Sequence, residues 1–214
     1  MTLNYPNGKS YSQKQSNIYH KKHTQKQNII YGNRGMSLEE EINASNAFYL
    51  ASDLAVIHKK PIPIQIVDVD YPKRSAAVIK KAYFKTPSTT DYNGIYKGYY
   101  LDFEAKETKN KTAFPLKNFH PHQIEHFKAC VKQNGICFTI VRFVQQDELF
   151  LMPISLLFKY WDNQENGRKS IPKKDIESYG YRIQYGLQPH IPYLKYVDLL
   201  IKQIEGENNE RTRS

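Results

Sequence analysis

Along this 214-residue chain the spacing of apolar positions changes period, and each change marks an element. Ser37-Leu38-Glu39-Glu40 has the form of a capping box and predicts a helix running toward Leu50. Glu39, Glu40 and Glu41 favour the positive end of its dipole, the alternative being that one of them reaches a metal site elsewhere. Val56-Ile57 and Ile62 to Val69 read as strand material interrupted by Pro61 and Pro63. Ser75 to Tyr83 fits a short helix or extended chain equally well. Asn93-Gly94 is a turn signal, so the chain is expected to fold back there before the strand Gly98 to Lys106. Lys109 to Lys117 reads as a polar loop. Pro121 opens a helix to about Asn134, with Ile124, Phe127 and Val131 as its buried stripe and Gly135 as its end. Ile136 to Phe143 and Glu148 to Met152 read as strands, Ser155 to Trp161 and Tyr193 to Ile204 as helices. The order predicts an α/β domain, a mixed sheet flanked by helices.

Within Gly98 to Lys106 the side chains alternate: Leu101, Phe103 and Ala105 point one way, Asp102, Glu104 and Lys106 the other. Folding back places Asp91 near Glu104. Carboxylates suit a hard cation that keeps several waters, and a neighbouring lysine can orient a water or hold a phosphate. Such a group suits metal-dependent phosphodiester cleavage. Taken alone, strand-end carboxylates are more often simply solvated, and Lys106 would form an ordinary salt bridge to Glu104.

Composition narrows the partners. Hydrophobic residues are 40% of the chain and aromatics 13%, enough for one well-buried domain. No apolar run is long enough for a membrane span, and the polar, basic N-terminus lacks the apolar core of a secretory signal. Cys130 and Cys137 are the only cysteines, as expected of free thiols in a reducing cytoplasm. The formal charge is +10, and two segments carry the whole excess. Lys9, Lys14, Lys21, Lys22, Lys26 and Arg34 precede the first acid, Glu39; Lys59, Lys60, Lys73, Arg74, Lys80, Lys81 and Lys85 face only Asp68 and Asp70. Patches of this kind attract phosphate backbones. Residues 1–30 have few core formers and are expected to be a disordered arm, residues 31–205 a single nuclease domain, and residues 206–214 a flexible tail.

Asp91, Glu104 and Lys106 resemble the acid-then-(Asp/Glu)-x-Lys signature of restriction-endonuclease-like nucleases. The longer runs Tyr83 to Gly94 and Asp102 to Lys111 are more specific and resemble the RecU family of bacterial Holliday-junction resolvases. The similarity extends through Arg34-Gly35-Met36, Tyr71-Pro72-Lys73-Arg74, His122 to His126 and Gly167 to Ile171. Thr90 stands where many members of the superfamily have proline. The resemblance implies a homodimer that nicks four-way junction DNA symmetrically with Mg²⁺, Mn²⁺ substituting, in the cytoplasm at the nucleoid. It implies Asp91, Glu104 and Lys106 as catalytic residues, and Thr89, Asp91, Glu104 and Gln123 as metal ligands. It also implies a projecting stalk over about residues 60–88 that enters the junction, and association with strand annealing, RecA and branch-migration proteins. Arg34, Lys73, Arg74, Lys80, Lys81, Tyr83, Phe84 and Lys85 would suit DNA contact, Arg74 also RecA. Tyr83 and Phe84 would otherwise pack in a core, and Gln123 would otherwise lie on a helix surface.

Asp102 is expected to support the site rather than hold the ion. His122, His126 and Cys130, at i, i+4 and i+8, raise zinc as a rival, but three ligands from one straight helix converge poorly and no CxxC or HExxH accompanies them. The histidines are read as DNA-facing or surface groups. No phosphate-cradling loop or nucleophile elbow is present. A sequence-specific duplex endonuclease and a non-catalytic junction-binding or annealing module remain as alternatives. The charge distribution predicts DNA binding that weakens steeply as salt is added; a salt titration of junction affinity with no slope would mean the basic segments do not meet phosphate.

Overall fold

The computed structural model describes residues 36–72, 77–85 and 89–213, with side chains as far as Gly206. The arm expected over residues 1–30 lies outside the described residues. Helix α1 (Leu38–Ala51) begins at the capping box: the Glu40 amide donates to the Ser37 side chain and the Ser37 amide to the Glu40 carboxylate, at 3.3 and 2.7 Å. There follow β1 (Val56–Lys59), β2 (Ile64–Asp70), β3 (Val78–Phe84), β4 (Tyr92–Tyr96) and β5 (Tyr99–Thr108). Beyond β5 come β6 (Ala113–Pro115), a 3₁₀ turn (Leu116–Asn118), α2 (Pro121–Lys132), β7 (Ile136–Phe143) and β8 (Glu148–Pro153). The last elements are α3 (Ile154–Asp162), β9 (Ser170–Pro172), α4 (Lys173–Tyr179), β10 (Tyr181–Ile183) and α5 (Leu194–Arg213).

A six-stranded sheet, ordered β1-β4-β5-β7-β8-β10, is antiparallel except where β5 and β7 run parallel through the α2 crossover. Helices flank it, the α/β class expected. One face packs on α1 and α5 through Ile42, Tyr92, Phe103, Phe138, Tyr193 and Val197; the other packs on α2, α3 and α4 through Ile124, Phe127, Phe150, Leu157 and Ile176. Every residue of β7 is buried, as befits a central strand covered on both sides. Phe103 stacks between Tyr92 and Phe138, with ring centroids 4.8 and 4.7 Å apart, which locks the register of β4, β5 and β7 on that face. No described helix is long and apolar enough to cross a membrane.

Several expectations need correction. Asn93-Gly94 lies inside β4, and the turn is at Lys97-Gly98, both at positive φ (50° and 84°), the conformation a tight hairpin of this hand requires. Gly94 is needed for another reason: a Cβ there would sit 2.1 Å from the Val56 carbonyl oxygen and 2.6 Å from Ile57 Cα, so β1 can approach only a bare backbone. The segment 109–117 contains β6, with Phe114 buried. Val131 is exposed, and the buried side of α2 is made by Gln123, Ile124 and Phe127. Helix α5 runs past Ile204 to Arg213. Of the stretch 75–83, the described part from Val78 on is extended and belongs to β3, which pairs with β2 in a separate ribbon.

Replacing Gly94 by Ala should destabilise the protein by about 2 kcal/mol or more, because neither contact is a flexible side chain. Thermal melting should fall by roughly 5–10 °C for a domain of this size, and an unchanged midpoint would mean that β1 sits elsewhere.

Candidate active site

Strand β5 sets the geometry. Leu101, Phe103 and Ala105 enter the core shared with α1 and α5, which turns Asp102, Glu104 and Lys106 toward α2. Because Tyr92 pairs with Phe103, the residue before β4 arrives beside Glu104. The Asp91 amide donates to Glu104 Oε2 at 3.0 Å, and the Ala105 amide reaches Asp91 Oδ2 at 3.5 Å. These reciprocal backbone-to-carboxylate contacts bring the two acidic side chains together. Lys106 Nζ lies 2.6 Å from Glu104 Oε1, and Gln123 Nε2, from the first turn of α2, donates to the same oxygen at 2.6 Å. Thr89 lines a shallow pocket with Glu39, Lys59, Lys60 and Asp91.

Glu104 is fully buried, and its carboxyl is pushed up to about 7, first by burial and next by the neighbouring Asp91, with Lys106 opposing. Two carboxyl groups at one point with a single ammonium leave a deficit of positive charge. Hard oxygen donors in that state fit a divalent cation of the Mg²⁺ kind. Gln123 is turned the other way from the expectation of an oxygen ligand: its Oε1 accepts from the His120 amide at 3.0 Å, closing the capping box of α2, and its N–H faces Glu104.

Next to this pair, Asp102 is the hub of a second buried cluster. Its Oδ1 accepts from the Thr90 hydroxyl, and its Oδ2 contacts Lys60 Nζ at 2.9 Å, the Tyr100 hydroxyl at 2.8 Å and His126 Nε2 at 3.0 Å. Cys130 Sγ lies 3.5 Å from His126 Nε2, so donor atoms of Asp102, His126 and Cys130 lie within 4.8 Å of one another. The Lys60 ammonium, also 3.4 Å from His126 Nε2, already supplies the positive charge there. His122 faces away from this group, stacking on His120 with centroids 5.4 Å apart and held below its usual range by burial, His120 and Lys106. The zinc trio His122, His126 and Cys130 therefore does not converge, and His126 is a partly buried partner of Asp102 rather than a free surface group. Lys60, Thr90, Tyr100 and His126 escaped the sequence reading because only strand register brings them to Asp102.

Of the residues expected to touch DNA, Lys80, Lys81, Tyr83 and Phe84 lie on β3 and Lys85 just after it, all exposed; Phe84 is 82% and Tyr83 55% accessible, so neither packs in a core. Lys80 pairs with Asp70 at 2.8 Å, and Lys81 lies over the Tyr83 ring. Arg34, Lys73 and Arg74 lie outside the described residues. Of the α1 glutamates, Glu41 pairs with buried Arg142 at 2.6 Å, whereas Glu39 pairs with Lys59 at the edge of the pocket beside Asp91.

Comparison with known proteins gives a consistent result. Residues 33–199 match the family described as Recombination protein U. The chain is 63% identical to the Holliday junction resolvase RecU of Ligilactobacillus salivarius, over 94% of this chain and 99% of that one. Proteins of the same name from Limosilactobacillus reuteri and Lactiplantibacillus plantarum are 61% and 60% identical, covering 94% and 95% of this chain and 98% of each relative.

The raised Glu104 carboxyl gives a pH signature in the metal-free protein. Folded Glu104 holds its proton up to about 7, the unfolded one only to about 4.5, so native stability should be lost as pH rises through that window. In EDTA, the difference in melting temperature between wild type and Glu104→Gln should shift in favour of the variant from pH 5 to pH 8. Added Mg²⁺ should stabilise wild type more at pH 8 than at pH 5, since the ion takes the deprotonated form. A difference independent of pH would show that Glu104 is not held protonated.

Proposed function

The chain belongs to the Recombination protein U family, and from that premise we propose that it is an endonuclease resolving four-way DNA junctions, the Holliday intermediates of homologous recombination and repair, by paired metal-dependent nicks. The observation that carries this reading is the meeting of the Asp91 and Glu104 carboxyl groups beside the Lys106 ammonium. In this reading Asp91 and Glu104 hold a Mg²⁺ ion, for which Mn²⁺ substitutes, and Thr89 and Gln123 complete its oxygen set. The Gln123 side-chain oxygen caps α2 in the metal-free protein, so its participation asks the amide to turn; at Thr89 the hydroxyl or the backbone carbonyl would serve. When bound, the ion polarises the scissile phosphate and lowers the pKa of a water. Lys106 projects from the same face of β5 and remains partly exposed, able to offset charge that develops on the phosphate during in-line attack. Gln123 donates to Glu104 and orients its carboxylate.

A junction must be cut on two strands related by symmetry, which calls for a two-fold homodimer with one site per subunit. The exposed ribbon of β2 and β3 offers Lys80, Lys81, Tyr83, Phe84 and Lys85 to branched DNA, and the family resemblance adds Arg34, Lys73 and Arg74 to that set; cations pair with phosphates and aromatic rings stack on unpaired bases. Recognition is then of shape rather than sequence. The same basic surfaces suit strand annealing, and Arg74 is a contact for RecA, with branch-migration proteins as further partners at the cytoplasmic nucleoid.

Asp91→Ala should lower nicking of a synthetic mobile four-way junction by roughly 10³-fold while junction binding stays within a few-fold. Wild type should leave a linear duplex of the same sequence essentially uncut. Undiminished nicking by the variant defeats the assignment, and equal cutting of both substrates favours a duplex endonuclease.

A further inference from the structure

Asp91 stands outside the ladder that would otherwise hold it. The β4–β5 pairing begins at Tyr92, and residue 91 is a bend. Its carboxylate must nevertheless meet Glu104, so something else fixes the backbone at this point. Lys60 does so twice. Its amide donates to the Asp91 carbonyl at 2.7 Å, and its ammonium reaches the Thr90 hydroxyl at 2.8 Å and Asp102 at 2.9 Å. Thr90, only 3% exposed, spends its own hydroxyl proton on Asp102. Asp102 is completely buried and is fixed in turn by Tyr100 and His126.

We propose that Lys60, Thr90 and Asp102 are positioning residues for the phosphodiesterase site: they clamp the Thr90–Asp91 backbone to β5 so that Asp91 faces Glu104 before any ion or DNA arrives. The inference rests on the nuclease reading above and deepens it. Thr90 and Asp102 touch neither Asp91's carboxylate nor Glu104's; they act through the backbone between them. Lys60 and Asp102 also form a buried ion pair, with the Lys60 side chain 17% and that of Asp102 0% exposed, so their removal alone would confound positioning with stability. Thr90 separates the two. Valine has the same shape and lacks only the hydroxyl, whereas serine keeps it.

Thr90→Val, Thr90→Ser and wild type are compared as full-length protein in three measurements. Nicking of the junction is followed as a function of Mg²⁺ concentration, junction affinity is measured in EDTA, and hydrogen exchange is followed in the peptide containing Asp91 without metal. In Thr90→Val the Mg²⁺ needed for half-maximal rate should rise about tenfold, within the range typical for losing an outer partner of a metal ligand. The saturated rate should fall by roughly tenfold to 10²-fold, as for a small misplacement of a reacting group. Exchange around Asp91 should accelerate, junction affinity should stay within about threefold of wild type, and Thr90→Ser should restore all of these. Wild-type Mg²⁺ dependence and exchange in Thr90→Val overturn the inference, as does a rate loss matched by an equal loss of junction affinity, which would make Thr90 a DNA contact. If wild type itself fails to nick at any Mg²⁺ concentration, the nuclease reading falls instead.

Discussion

Strand β5 must be dry on one side and carry ionised groups on the other, and the strict alternation of its side chains is the constraint from which the rest of the site follows. Phe103 is wedged between Tyr92 and Phe138, so β5 cannot slip by a residue without pulling an aromatic ring out of the core and pushing Glu104 into it. The hydrophobic face thus fixes the depth of the carboxylates on the polar face. The cost of burying those carboxylates is met locally: Asp102 has Lys60, Thr90, Tyr100 and His126, while Glu104 has Lys106, Gln123 and the Asp91 amide. The two clusters differ in what remains unmet. Asp102 has an ammonium against it and is closed; Glu104 faces a second carboxyl group and is not.

Much of this was legible from the chain. The capping box at Ser37, the strands β7 and β8, and the alternation in β5 are local patterns whose physics does not need the rest of the molecule. Asn93-Gly94 misled because glycine has two uses. There it serves close approach of β1 rather than a turn, and nothing within the dipeptide distinguishes the two. Gln123 was tied to the site only through the family resemblance, and which end of its amide meets Glu104 depends on the His120 amide competing for the oxygen. The strands β9 and β10 passed unread because three residues have no periodicity to detect, and the helix α4 is only seven residues long. The cluster around Asp102 draws on the residue after β1, the segment before β4, β5 and α2, which only the tertiary register brings together.

A second buried ionic group braces α1 against the sheet. Arg142 on β7 donates to Glu41 at 2.6 Å and to Glu107 at 3.2 Å, with the Tyr185 ring 6.0 Å from its guanidinium carbon. The Tyr92 hydroxyl adds bonds to the Glu39 carbonyl and to Asn43. The helix bearing Glu39 is therefore tied to the strand that follows Asp91, and the pocket edge keeps its shape through groups that take no part in chemistry.

Among the described residues, the ribbon of β2 and β3 has no such backing. Ile64, Ile66, Val67, Val78 and Ile79 are exposed there, in a two-stranded ladder that is marginal in itself. Sticky aliphatic surface on this two-stranded ribbon invites copies of the chain to cohere. What opposes this is the +10 formal charge, whose mutual repulsion reaches only about 8 Å at physiological ionic strength. The colloidal behaviour of the purified protein is thus governed by its excess of lysine and arginine, and concentrated salt strips away that protection.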